Sequence, residues 1–547
     1  MVIGDAAARP SDRWPGIIRR RERVVDSTAA RSGASANQHT IFFASLDQWW
    51  IVAFALFTIV LVYVIEALAA NKPFWHDEIY TILFADLPSL HTMWRAANDG
   101  IDLSPPLNAM LTHVIHPVVG TGRLATRLPP LVGYWTMTLV LFDVVRRRSH
   151  VVAALSAAAL PCLSEAFRYS TEARGYGVML GLFAVALWSW SEAARARNRR
   201  LHLPLLALAL AAGLWNQYFA ILAFAPILIG ETLRVRRAQA IDWGVAGAIG
   251  GALLAVLPLR DLMHVAAAHG ATYWRHARIS DIGPTYELLF NPLLGGFLAI
   301  AVVLAAVLVL AGIVFGSRAS VRCEYRELPV HEIGAGLATL AVPVGAVLLG
   351  VYGSGVFVPR YALAGVIGLS VVLPLLIARA GSHRGIADIV LSTALIATFC
   401  GSAYQSVVAE RRIYRDPMAA RPILLQQLSE DGPVAVSATT EYLQLWYYTP
   451  PELRGRLVYL DNPVAALEET GSDTVDRNYL ALRRWSPVSI VDYDTFIAGH
   501  RTFRVYVPGP GWLIKRLRAS GASLEEIGRE ADGPIYRVTL EREEPAP

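Results

Sequence analysis

A chain of 547 residues that is 54% hydrophobic and only 17% charged departs too far from soluble usage to be a water-soluble enzyme, and its repeated long apolar runs describe a polytopic membrane protein. The net charge of +5 is modest, and the arginines sit in short clusters between apolar runs, which reads as membrane topology and argues against a nucleic-acid face. The three cysteines, Cys162, Cys323 and Cys400, lie in or beside apolar runs and fit neither a zinc motif nor a disulfide framework, so they read as structural thiols.

Residues 1–48 are rich in Arg, Ser and Ala, with a basic run at Arg19, Arg20, Arg21 and Arg23. Nothing there builds a core, so this stretch is expected to be a disordered cytoplasmic tail. Trp49 to Val64 carries no charge and, with its flanks, spans a bilayer. Ala67-Leu68-Ala69 resembles a signal-peptidase site, but the run begins too late and is too long for a signal peptide, so an uncleaved anchor is expected.

Phe74-Trp75-His76-Asp77-Glu78-Ile79-Tyr80 follows at the membrane surface, with two adjacent carboxylates between aromatic residues. One reading makes Asp77 and Glu78 the acidic start of a helix. The other makes Asp77 a general base in a membrane-facing active site, since acids near hydrocarbon are usually there for function.

Pro105 to Val119 decides the topology. It is about 15 residues, roughly 22 Å as a helix, against a hydrocarbon thickness of ~30 Å. It also holds His113, His116 and Pro117. As an interfacial helix rather than a span, it lets the basic loops at Arg146–Arg148, Arg195–Arg200, Arg234–Arg237, Arg318–Arg326 and Arg379–Arg384 all face the cytoplasm.

The predicted spans are 49–70, 125–145, 150–167, 175–193, 202–216, 218–233, 241–260, 291–315, 333–352, 356–379 and 386–407, about 11 helices, with the amino terminus inside. Residues 49–407 then form a transmembrane domain in which 71–124 is the first exterior loop and carries interfacial helices. From Val408 the long apolar runs stop. Strands are expected at Pro433–Val436, Arg456–Leu460, Arg501–Val507 and Ile535–Leu540, with helices near Thr440–Trp446 and Trp512–Ala519. Residues 408–547 therefore read as a small soluble α/β domain outside the membrane, for support, docking or acceptor selection.

That topology gathers polar residues on the exterior face. Glu165, Arg168 and Glu172 share one helical face if the helix runs that far, either as a salt-bridged helix end or as charge for a site. Tyr273-Trp274-Arg275-His276-Ala277-Arg278 puts exterior arginines against the positive-inside trend, which suits lipid headgroups or a lipid-borne phosphate. Pro359-Arg360-Tyr361 follows a Gly-Ser-Gly turn and sets Arg360 at a helix N-terminus, where the dipole opposes its charge unless an anion is present. Asn216, Gln217 and Tyr218 mark another exterior turn, which backbone satisfaction alone accounts for.

Asp77-Glu78, Ser104-Pro105-Pro106-Leu107, Arg127-Leu128-Pro129, Glu172-Ala173-Arg174-Gly175-Tyr176 and Pro359-Arg360-Tyr361, in this order across roughly residues 70–380, resemble the GT-C glycosyltransferases. These are integral membrane enzymes that use polyprenyl-phosphate-linked sugars. The likeness is to the branch of the protein O-mannosyltransferases and the aminoarabinose transferases that modify lipid A.

The resemblance implies a GT-C fold in a bacterial inner membrane, a catalytic acid at Asp77, and a donor sugar on undecaprenyl or decaprenyl phosphate. The acceptor would be a glycan, lipid or protein hydroxyl, attacked with inversion. Glu78 and Glu172 are the further catalytic candidates; Arg174, Arg275, Arg278, Arg360 and Tyr361 are the candidates for the donor phosphate. Family members differ in metal use, so a divalent ion stays open, with Asp77, Glu78 and Glu172 as hard oxygen donors in no recognisable spacing. A transporter or flippase of lipid-linked saccharides is the alternative, although paired Gly or Pro interruptions in repeated halves are not evident.

Overall fold

The computed structural model describes residues 48–294, 328–379, 384–413, 416–509 and 511–540. The expected amino-terminal tail, most of the 291–315 span and the Arg318–Arg326 loop lie outside the described residues. Among the described residues six helices are long and apolar enough to cross a membrane: Trp50–Asn71, Leu128–Arg146, Tyr176–Ala194, Tyr218–Ala238, Trp243–Thr272 and Asp388–Ala409. Two bent pairs, Val151–Leu163 with Glu165–Thr171 and Val330–Leu340 with Val342–Ser354, raise this to eight if each is one span.

The expected number of about 11 is larger. Among the described residues, Arg199–Asn216 opens on two arginines and Gly365–Arg379 has only 15 residues. The bends have local causes. Pro161 and the Ser164 cap end the first helix before a 71° turn, and Pro343 sits at the 53° turn of the second pair. Leu107–Val119 is a helix of 13 residues, too short to span, as its length requires.

Helix Leu128–Arg146 sets the polarity of the molecule. At its far end the basic turns converge: Arg148 and Arg195 both pair with buried Glu332, and Arg199 and Arg234 share Asp242. At its near end Arg127 meets the acid-pair segment. Glycines let this helix lie against Tyr176–Ala194 almost backbone to backbone: a Cβ at Gly177 would sit 2.2 Å from the Pro130 carbonyl oxygen. The two helices thus present Arg127 and the Arg174-Gly175 turn side by side.

Residues 434–539 build a six-stranded sheet of β1 (Val434–Val436), β2 (Leu457–Asp461), β3 (Ile490–Asp492), β4 (Thr502–Tyr506), β5 (Ser523–Glu530) and β6 (Gly533–Thr539), in the order β3-β2-β1-β4-β6-β5. The first four strands are parallel, and β5–β6 is an antiparallel hairpin on β4. Helices Thr439–Tyr448 and Thr474–Trp485 rest on the acid-pair loop. Tyr448 Oη accepts from the Phe74 N–H at 2.8 Å, Gln444 donates to the Phe74 carbonyl at 2.9 Å, and Trp485 donates to Asp99 at 3.0 Å.

The join between the membrane helices and this loop is a buried ion pair. Arg127 and Glu78 are both 0% exposed and meet through two bonds of 2.7 Å. The remaining Arg127 donors take the carbonyls of Ala69, Lys72 and Pro73, so every guanidinium N–H is used, with the Phe74 ring 4.8 Å from the guanidinium carbon. Glu78 also accepts from the Ala173 N–H at 2.6 Å.

Removing either partner strands the other charge in a dry site. Glu78→Ala and Arg127→Ala are each expected to lower stability by about 3–5 kcal/mol. Denaturant unfolding of the detergent-solubilised protein measures this, and a loss under about 1 kcal/mol for both variants would contradict the account.

Candidate active site

Trp75 is extended and the helix His76–Ala85 begins after it, with Asp77 and Glu78 in its first turn. The helix-start reading of the pair holds, with both carboxylates in the first turn, but the two side chains take different directions. Glu78 reaches back to the Trp75 N–H at 3.3 Å, as an acid at a helix start does, and is drawn into the pair with Arg127. Neighbouring helix positions point about 100° apart, so Asp77 cannot follow it inward. It stays 21% exposed.

Three groups surround the Asp77 carboxylate. His76 Nδ1 lies 3.3 Å from Oδ1 and donates to it, since an ionised carboxylate only accepts. Arg360 Nη1 stands 3.4 Å from Oδ2. Arg174 donates to the Asp77 backbone carbonyl at 3.2 Å. Burial by itself would raise this carboxyl; the His76 hydrogen bond and the charges of Arg174 and Arg360 outweigh it and hold Asp77 well below the usual carboxylate range.

Arg174 joins two motifs that lie far apart in sequence. It bonds Asp102 at 2.9 Å and Ser104 Oγ at 3.2 Å, fastening the Ser-Pro-Pro loop to the turn after Glu172. Arg360 comes from the short 3-10 turn Pro359–Ala362, with its guanidinium 5.7 Å from the Tyr176 ring and its Nε buried without a partner.

The loop holding Arg275 and Arg278 is stitched to the approach to Arg360. His276 and Val356 form an antiparallel bridge, and Ala277 N donates to Gly355 O at 3.1 Å. Tyr361 stacks on Phe219 and its hydroxyl meets that of Tyr273 at 3.4 Å. Arg278 is exposed, and Arg275 stands 3.8 Å from Asp281. Neither reaches Asp77 through a contact.

Two expected carboxylates are placed elsewhere. Glu78 is fully buried and enclosed by Arg127 and two backbone N–H groups. Glu172 pairs with Lys72 at 3.0 Å and Arg168 at 3.2 Å, not with Asp77. Glu165 and Arg168 do share a helical turn, but the helix ends at Arg168 and Glu172 is extended. Among the described residues no three acids, histidines or cysteines gather to hold a metal ion.

Sequence reasoning passed over His76, although it adjoins the acid, and Asp102, although it lies two residues before Ser104. It gave no sign of Tyr479, which brings the carboxyl-terminal portion to the site. The Tyr479 ring lies 6.1 Å from His76 and 6.2 Å from Tyr80, with its hydroxyl tied to the Thr439 carbonyl at 2.6 Å.

Residues 104–259 match the family model of dolichyl-phosphate-mannose-protein mannosyltransferase. The fold is similar to that of ArnT from Cupriavidus metallidurans in the apo state, with a TM-score of 0.57 and 12% identity over 90% of this chain and 98% of that one. It is similar also to the same protein bound to undecaprenyl phosphate, with a TM-score of 0.56 and 12% identity over 89% of this chain and 98% of that one. No curated protein sequence matches the chain. The matched family segment holds three of the five motifs, and the fold joins them to the other two; together they bear out the resemblance to GT-C membrane glycosyltransferases of the O-mannosyltransferase and ArnT-like branch.

The cations around Asp77 make a direct prediction. Infrared difference spectra between the wild type and Asp77→Asn are expected to show this carboxylate ionised below the ordinary aspartate value of about 3.9. Removing a positive charge in Arg360→Gln disfavours the ionised form, so the titration moves to higher pH. A wild-type midpoint at or above the ordinary value would contradict the geometry.

Proposed function

We propose that the chain transfers one sugar from a polyprenyl-phosphate carrier to an acceptor hydroxyl at the extracytoplasmic face, with Asp77 as general base. The observation that carries this reading is the meeting of Asp77 and Arg360, brought from distant exterior segments to 3.4 Å. In the reaction the acceptor O–H gives its proton to Asp77 as its oxygen attacks the anomeric carbon. The bond from that carbon to the phosphate oxygen breaks, and the electron pair leaves with the polyprenyl phosphate. Direct displacement inverts the anomeric centre.

A carboxylate held so far below its usual range is a weak base until something relieves it. The donor phosphate does that. An ion pair of 3.4 Å is looser than a charge-assisted bond of about 2.7–2.9 Å, and the Arg360 Nε still lacks an acceptor. Two opposite charges at this spacing attract by on the order of 4 kcal/mol near a protein surface. A phosphate that shares the guanidinium therefore frees Oδ2 and raises its basicity as the donor seats. Arg275 and Arg278 add positive charge along the approach, and Tyr361 fixes the turn that aims Arg360. Arg174, already bonded to Asp102 and Ser104, shapes the floor and contributes its field.

We assign residues 49–407 to the membrane-embedded catalytic part and 408–547 to an extracytoplasmic α/β part that covers the site. The last long helix, Arg384–Ile413, carries the chain from one to the other. Glu78 and Glu172 become positioning residues in this reading.

Asp77→Asn is expected to fold, insert and still bind donor, yet to lose transfer by about 10²–10⁴-fold, the usual contribution of a positioned base. Release of free polyprenyl phosphate from a polyprenyl-phosphate hexose in proteoliposomes, with acceptor present, measures it. Near-normal turnover would remove Asp77 from the role. Arg360→Ala is expected to weaken donor binding as well as turnover.

A further inference from the structure

Behind Arg174 lies a small cavity walled by Thr81, Asp102, Ser104, Asn108, Asn216 and Gln217. It shares a wall with the proposed base: Arg174 Nη1 contacts Asp102, Thr81 and the Asp77 carbonyl together.

Two of its amides are oriented by the backbone. Asn108 Nδ2 donates to the Ala173 carbonyl at 3.3 Å, and Asn216 Nδ2 donates to the Gly175 carbonyl at 2.6 Å. These are the peptide carbonyls on either side of Arg174. With each nitrogen committed, each Oδ1 is fixed as the free end, and both oxygens are buried without a protein partner. A carbonyl oxygen has two lone pairs and only accepts, so what completes this cavity must bring hydrogen-bond donors. Asp102 and Arg174 neutralise one another across it, so the missing donors need carry no charge.

We propose that this cavity, with room for a single hydroxyl, is a subsite for one hydroxyl group of the donor's sugar, with Asn108 Oδ1 and Asn216 Oδ1 as the accepting atoms; the inference rests on the donor reading above. Gly175 guards it. Its backbone is in an ordinary conformation, but an added Cβ would lie 2.7 Å from Asn216 Oδ1. A methyl there must displace the Asn216 amide, whose Nδ2 and Cγ would lie 3.0 and 3.1 Å from it, and so moves the accepting oxygen while leaving the amide in the chain.

The test compares binding of undecaprenyl phosphate with binding of its hexosyl and pentosyl esters to the full-length protein in detergent. The wild type is expected to prefer at least one sugar ester over the bare lipid phosphate. Asn108→Ala and Asn216→Ala should weaken that ester by about tenfold and leave the bare lipid within about twofold, as loss of a buried acceptor predicts. Because Asn108→Ala and Asn216→Ala also free the Ala173 and Gly175 carbonyls, Gly175→Ala, which keeps both amides but displaces the Asn216 oxygen, serves as the further variant and should show the same selective loss. Equal losses for both lipids, unchanged affinities, or a wild type blind to the sugar would overturn the subsite and mark the cavity as a place for water. Failure of the wild type to bind either lipid would overturn the donor reading first and the subsite with it.

Discussion

The arrangement depends on one buried ion pair, Arg127 with Glu78. A buried pair is weak evidence for stability, because desolvation offsets most of the attraction, and apolar residues of the same volume often serve as well. What apolar residues cannot do is hold specific backbone groups in register. Arg127 gathers three carbonyls from the end of the first long helix, while Glu78 takes the N–H groups of Trp75 and Ala173. One pair thereby fixes where the first helix stops, how the acid-pair helix starts and where the Arg174 turn lies. Asp77 is displayed because Glu78 is swallowed.

The second constraint is electrostatic. Asp77 sits where histidine and two arginines favour its charged form against the effect of burial. In the absence of a donor this keeps the site closed as charge: the carboxylate occupies Arg360, and Arg360 occupies the carboxylate. In the proposed reaction a phosphate arriving at the guanidinium loosens both, so the proposed anion site and the restraint on the base are one contact.

Much of this was legible in the sequence, for identifiable reasons. Long uncharged runs such as Trp49 to Val64 have no stable alternative to a spanning helix. The shortness of Leu107–Val119 excluded it as a span, and the five motifs all lie at one end of the helices. The illegible parts needed three-dimensional partners. Glu78 and Asp77 are adjacent acids, and nothing local says which one Arg127 will claim. Glu172 does pair with Arg168, as their spacing suggests, although the α-helix ends at Arg168, but nothing local shows that Lys72 is its other partner. β5, with the sequence SLEEIGRE, is absent from the expected strands because an edge strand carries charge in place of apolar alternation, and here Glu525 faces Arg537 across the hairpin. Three-residue β3 is too short to leave a pattern.

The carboxyl-terminal sheet, which the sequence left as support, docking or acceptor selection, grips the acid-pair segment too closely to be a remote module. Its helix Thr439–Tyr448 takes both backbone groups of Phe74, the residue packed under Arg127. Its helix Thr474–Trp485 sets Tyr479 against His76, the residue that donates to Asp77. A shift of these helices moves the proposed base through two short chains of contact, one through Phe74 and one through His76. A change in the sheet that leaves every membrane helix untouched therefore reaches the carboxylate all the same, and in the proposed reaction an acceptor that touched these helices would act on Asp77 by the same route.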